Sequence, residues 1–317
     1  MRTVHMTMRH STTIAIGMAL MLSGLRASAQ QEVMISQYMF NGLFLNPAYA
    51  GSHDYVSTSL LHRSQWVQVD GAPRTSLFSI DGPLMGDRMG VGFTASYDRI
   101  GISSDVDLAG HYAYHVKLNE RSKLSLGLRA GVSFHSARFD DLVYWDTNDP
   151  LYQANVRNTA VGKFGFGLYW YSATSFVGLS VPTIHAADGG LVKELGSTVG
   201  NYYDQHWYLH AGKVFPLGEY IDIKPTTLIK YLPDAPVQAD INCNLLYRER
   251  IWFGLGYRTG ESVVGMLEYQ ITPQIRAGYA YDMNTSKLRT YTSGSHEVML
   301  GIDFGRDLIK IKTPRYF

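Results

Sequence analysis

The residues of this chain that could do chemistry are scattered, and their spacing argues against a reaction centre. Eleven histidines are present, yet none sits in an HExxH pattern and no GxSxG nucleophile elbow occurs. His111 and His115 share one face of an alternating segment, which at strand rise puts them roughly 13 Å apart, too far to hold one metal ion. The glycine pieces at 90–92, 165–167 and 254–256 lie inside alternating segments with no helix following, so they lack the strand-to-helix setting of a phosphate loop. Glycine there gives room in a crowded wall. Cys243 is the only cysteine, which rules out an intramolecular disulfide and a cysteine-based zinc site; it reads as a small apolar filler. No catalytic, cofactor-binding or metal-binding residue is assigned, and an enzyme is not expected.

A second set of side chains is more informative. Asp107, Arg129, Asp240, Arg276, Asp282, Glu297 and Asp303 fall on the polar faces of alternating segments. Facing a lumen, they would build a structural lattice or grip a passenger segment, with Arg276 and Glu297 on neighbouring strands able to pair.

The elements that must position these charges are strands. In residues 123–135, Leu124, Leu126, Leu128, Ala130, Val132 and Phe134 fall on one face and Lys123, Ser125, Gly127, Arg129, Gly131, Ser133 and His135 on the other. One face suits lipid and the other water. Residues 105–117 repeat the pattern, and a tight LNERS turn joins the two as a hairpin. Further strands are expected near 54–64, 74–82, 89–98, 160–171, 174–182, 206–215, 221–231, 236–247, 251–258, 262–270, 275–282 and 295–304, about fourteen in all.

The fold class is therefore all-β, a transmembrane antiparallel barrel. An even strand number puts both termini on one side, and the long connections, near 136–159, 183–205 and 283–294, all follow odd-numbered strands. With periplasmic termini every long loop is extracellular. A secreted sandwich would also alternate, but aromatic residues make up 13% of the chain. Tyr97, Tyr114, Trp170, Tyr247, Tyr257, Tyr279 and Tyr281 lie near strand ends on apolar faces, as an interfacial girdle requires.

The N-terminus carries Arg2 and Arg9, an apolar run from Ile14 to Leu25 too short to span a bilayer, and the small-x-small site Ala27-Ser28-Ala29, which together read as a cleaved secretory signal over residues 1–29. No cysteine near the cut permits a lipid anchor. Removing the signal takes away three arginines and no acid, turning the formal charge of +1 slightly negative, and nothing in that balance calls for nucleic acid. Residues 30–52 lack strand alternation and are long enough to fold back as a plug or hatch. The barrel would span 53–304, leaving 305–317 as a periplasmic tail.

Within that N-terminal stretch Ser36-Gln37-Tyr38-Met39-Phe40-Asn41 is followed by Phe44-Leu45-Asn46-Pro47-Ala48-Tyr49-Ala50-Gly51. This opening resembles the PorP/SprF family of type IX secretion-associated outer-membrane proteins of Bacteroidetes. The likeness continues through Arg63, Gln65 and Trp66, then Gly71-Ala72-Pro73 and Thr75, Ile100-Gly101, His296-Glu297 and the Pro314-Arg315-Tyr316-Phe317 tail. It implies an outer-membrane protein without a cofactor that receives or anchors secreted adhesins through their C-terminal sorting domains. The implied partners also include periplasmic or lipoprotein components of the secretion machinery, and in some species the family is linked to gliding. The runner-up is a fatty-acid or hydrophobic-compound transporter, a family that also has fourteen strands and a hatch with an Asn-Pro-Ala motif, which Asn46-Pro47-Ala48 echoes. The block around Arg63, Gln65, Trp66 and Gly71-Ala72-Pro73 favours the secretion family. A general porin is the third reading, and an apolar segment able to fill the lumen argues against it.

Overall fold

The computed structural model describes residues 34–84, 86–138, 156–187, 205–233 and 235–305. The expected signal over residues 1–29, most of the two longest connections and all but the first residue of the C-terminal tail lie outside the described residues.

Alternation produces strands: β1 (Val56–Ser64), β2 (Arg74–Leu84), β3 (Met89–Ile100), β4 (Ser103–Lys117), β5 (Ser122–Ala137), β6 (Val156–Ser172), β7 (Ser175–Ala187), β8 (Trp207–Lys213), β9 (Phe215–Pro216), β10 (Ile221–Tyr231), β11 (Gln238–Tyr247), β12 (Ile251–Arg258), β13 (Ser262–Gln270), β14 (Ile275–Asn284) and β15 (Ser295–Phe304). Fourteen of them form a closed antiparallel ring, with β8 pairing to β10 and the last strand to the first, Val56 opposite Phe304. The fifteenth, β9, is a two-residue addition beside β10. Closure leaves no free edge, the condition for a sheet to sit in lipid.

Burial follows the period-2 pattern. On β5 Leu126 and Leu128 are exposed on the outer face while Ser125 and Ser133 are buried on the inner one. Tyr97, Tyr114, Tyr247, Tyr257 and Tyr279 are exposed on the outside, as a girdle would be. Cys243 also faces outward, so it fills no core as the sequence suggested. Its alternation with buried Asn242 and Asn244 fixes that direction.

The long connections gather at one end. Those after β1, β5, β7 and β14 run long and share that end with short turns after β3 and β12, whereas those after β2, β4, β6, β11 and β13, at the other end, are all short. The ring therefore has a long-connection end and a short-turn end. β1 starts and β15 finishes at the short-turn end. The first described residues, however, are not there. Lys230, near the end of β10, donates to the Met34 sulfur at 3.3 Å, so the segment preceding β1 reaches back toward the long-connection end. The inference that an even strand count gathers both terminal segments at one end holds for the strands and fails for this segment, because strand parity says nothing of chain that folds inside the ring.

Candidate functional site

Residues 34–52 form three short 3-10 turns, Tyr38–Phe40, Gly42–Phe44 and Pro47–Tyr49. They are held by inward-facing side chains from around the ring. Asn46 shows how the sequence dictates this local shape. Its side-chain oxygen accepts from the Ala48 N–H at 2.9 Å, capping the third turn, while Pro47 at the first turn position has no N–H to satisfy. The Asn46 amide then donates to the Leu168 carbonyl on β6 at 2.9 Å. A Cβ at Gly167 would lie 1.9 Å from the Asn46 oxygen, and one at Gly127 would lie 2.0 Å from the Ala48 nitrogen. The wall is glycine where the segment touches it.

Further contacts follow the segment along the lumen. Asn41 donates to Ser59 and Ser79 at 2.8 and 2.9 Å. Asn242 donates to the Tyr38 hydroxyl at 2.7 Å. Lys224, fully buried, places its ammonium over the Phe40 and Trp252 rings at 5.7 and 5.4 Å. Near the short-turn end His115 contacts the Ala50 carbonyl at 3.1 Å, and Gly51, at φ +66°, donates to Asp81 at 2.9 Å. Leu43, Ala48 and Ala50 are wholly buried, together with Tyr38, Met39 and Tyr49. Covering a side chain of the larger kind contributes about 1.5–3 kcal/mol relative to leaving it in water.

The densest polar cluster lies toward the long-connection end. Arg63 of β1 donates to Asp282 of β14 at 2.7 Å and to Glu297 of β15 at 3.1 Å. Glu297 also accepts the backbone N–H groups of Ser36 and Gln37, each at 2.8 Å. The Ser36 hydroxyl bridges Arg63 and Asp282. Arg258 of β12 joins from the other side, at 3.3 Å from Asp282 and 3.1 Å from Asp240, and Lys230 reaches Asp240 at 3.2 Å. Charges this deep are tolerable only when opposite charge and hydrogen bonds replace water.

The seven charged positions read from the sequence all face inward. Two smaller groups stand apart from the main cluster: Arg129 and Lys163 on Asp107, and Arg276 on Asp303 at 3.0 Å with Ser57 also donating to Asp303. The suggested pair between Arg276 and Glu297 does not form. Arg276 lies opposite Gly301 and Glu297 opposite Ala280, so the register separates them by four residues. Arg258, Lys224, Lys230 and Asp81 were missed, although parity with Gly254 and Gly256 placed Arg258 on the inner face. His111 contacts Thr94 at 2.9 Å and His115 contacts Tyr171 at 3.2 Å. Among the described residues no three His, Cys, Asp or Glu gather as a metal site.

Of the other motif residues, Gln65, Trp66, Gly71, Ala72 and Pro73 lie outside the lumen, in the connection from β1 to β2. Trp66 and Gln68 adopt positive φ, a conformation that persists only when neighbours impose it. Val67 supplies the constraint through bonds with Gly294 and Ser293, and Trp66 donates to the Ser295 hydroxyl at 3.1 Å. The Gly71 carbonyl accepts from Gly101 at 2.9 Å.

A family model described as "Type IX secretion system membrane protein PorP/SprF" matches residues 27–302. The chain belongs to the PorP/SprF family. Its motif blocks thus divide between the lumen, where Gln37 to Gly51 are held, and the rim, where Gln65 to Pro73 are pinned. No curated protein matches this PorP/SprF chain. Among solved structures it is similar to the outer membrane protein Omp33 of Acinetobacter baumannii, at 9% identity and TM-score 0.47 over 79% of this chain and 99% of that one. It is also similar to the monoaromatic hydrocarbon channel CymD, at 12% identity and TM-score 0.47 over 85% and 92%. The toluene transporter TodX of P. putida follows, at 8% identity and TM-score 0.45 over 82% and 92%.

Proposed function

We propose that this PorP/SprF barrel is an exported, integral outer-membrane protein that receives or anchors secreted adhesins at the cell surface and catalyses no reaction. The family match associates it with type IX secretion. The single structural observation supporting a role other than free diffusion is the lumen itself: residues 34–52 act as a plug, tied to the wall by Arg63, Asp282 and Glu297 through Ser36 and Gln37. A pore for small solutes needs water along its axis, and the buried Leu43, Ala48 and Tyr49 occupy that space. The long connections face outward and offer the sorting domain its docking surface, while the short-turn end meets periplasmic or lipoprotein subunits of the machinery.

Deletion of the gene tests this reading. The membrane stays intact, one or a few large proteins disappear from the surface, and uptake of fatty acids is unchanged. An unaltered surface proteome with impaired uptake of hydrophobic compounds would instead support the transporter reading, for which the Asn46-Pro47-Ala48 hatch motif speaks.

A further inference from the structure

Outside the lumen the wall carries one feature that neither passenger export nor barrel closure uses. Arg74 on β2 and Arg99 on β3 are directly opposite in register and both are exposed. Like charges facing each other across two strands repel. Neither has an ion-pair partner among the described residues, and the one bond to either side chain runs from Arg99 Nε to the Gly101 carbonyl at 3.4 Å. Both project from the outer face, since their neighbours Thr75 and Asp98 bond to each other on the inner one.

Their height decides what they meet. Along β3 the outward residues are Met89, Val91, Phe93, Ala95 and Tyr97, and then Arg99. Ten residues of strand cover about 33 Å, which at barrel tilt is about 25 Å across the membrane, the height of the apolar band. The arginines therefore stand just past the hydrocarbon, at headgroup level. Their row continues through Ser64 opposite Arg74, His296 opposite Ser64 and Ser104 opposite Arg99. One step toward the hydrocarbon lie exposed Tyr97 and the His62–Ser76 pair, 3.0 Å apart. Two guanidinium forks side by side match a phosphate, and the surrounding hydroxyl and imidazole groups suit a sugar.

We infer that Arg74 and Arg99 form an outer-wall site for the phosphorylated sugar headgroup of an anionic lipid, and that this lipid is lipopolysaccharide. The choice of leaflet rests on the proposed outward direction of the long connections; the affinity for a lipid phosphate does not.

The test uses purified full-length protein in detergent, with bound lipid counted by native mass spectrometry. The probes are phosphorylated lipid A, the same lipid without phosphate, phosphatidylglycerol and inorganic phosphate. Wild type is expected to hold phosphorylated lipid A at least tenfold more tightly than the Arg74→Gln/Arg99→Gln variant, with the dephosphorylated lipid binding both equally. Both residues are exposed, so the variant keeps a heat-modifiable band; each single variant supplies the same reading at smaller amplitude if the double one assembles poorly. Equal binding of the two lipid A forms overturns the site. So does displacement of the lipid by inorganic phosphate alone, which would make it a free-anion site. Preference for phosphatidylglycerol overturns the assignment to lipopolysaccharide. Surface adhesin in the same strain is scored separately, so loss of the export reading leaves the lipid result standing.

Discussion

Single residues in this barrel differ in what surrounds their charge. Arg63 is enclosed by Asp282, Glu297 and Ser36, and Arg63→Ala takes the cationic partner from buried Glu297 and leaves Asp282 with Arg258 alone. Removing one partner of such a pair costs about 3–5 kcal/mol, so the temperature at which the folded gel band converts should fall sharply. Leu128 and Arg129 give the opposite contrast. Leu128 is 63% exposed on the outer face, and Leu128→Arg should cost about 2–4 kcal/mol if it lies near the bilayer midplane. Arg129→Leu should assemble, because Lys163 remains on Asp107 at 2.8 Å. A folded Leu128→Arg beside an unfolded Arg129→Leu would reverse the faces of β5. Asp87, in the turn from β2 to β3, is a third case. Hydrogen bonds from Lys117 and Lys123 hold its carboxyl down to about 2. A depressed carboxylate stabilises the fold above its unfolded value and loses that contribution as pH falls through the folded one. The carboxylate is largely exposed and screened by salt, so Asp87→Asn should lower the conversion temperature slightly at pH 7 and by less as pH drops from about 4 toward 2.

At the scale of elements, alternation made the strands legible and left the segment before them open. All fourteen ring strands were placed within a few residues, since a slip of one would exchange Leu128 with Arg129. Bulges near His135 and Phe164 and the brief β9 were invisible, because a bulge adds a residue without changing composition. The lumen segment has no period to read. Asn46 and Pro47 mark a turn, but nothing in the chain said that Gly127, Gly167 and Gly278 would be its seats. Gly167→Val tests that seating: its side chain must displace Asn46. The barrel should still show a folded band, while residues 34–52 become accessible to added protease. Protection equal to wild type would mean that the wall yields instead.

For the whole molecule, orientation is the open dimension that experiment closes. Epitopes placed in 136–159 and 183–205, or in the described connection 285–294, should bind antibody on intact cells, and one after Gly305 should not. The reverse pattern would exchange the two ends and the leaflet assigned to Arg74 and Arg99. The ring itself was foreseeable from an even count of strands and the parity of long connections. What was not foreseeable is how the cluster around Arg63 spans the ring, because contacts between residues more than two hundred apart in sequence leave no local mark.

That span has a consequence in time. Ser36 and Arg63 are synthesised early, and their acceptors Asp282 and Glu297 arrive nearly last. Until β14 and β15 are in place, the arginine lacks these counter-charges and the two backbone donors must stay with water. The first strand therefore gains its full stability only from a finished chain, and the seam between β1 and β15 records completion. A chain truncated after Gly294 keeps thirteen of the fourteen ring strands but lacks Glu297, and it should remain sensitive to protease and heat as an open sheet does. The lumen segment then acts as a clasp that only the last two strands can fasten.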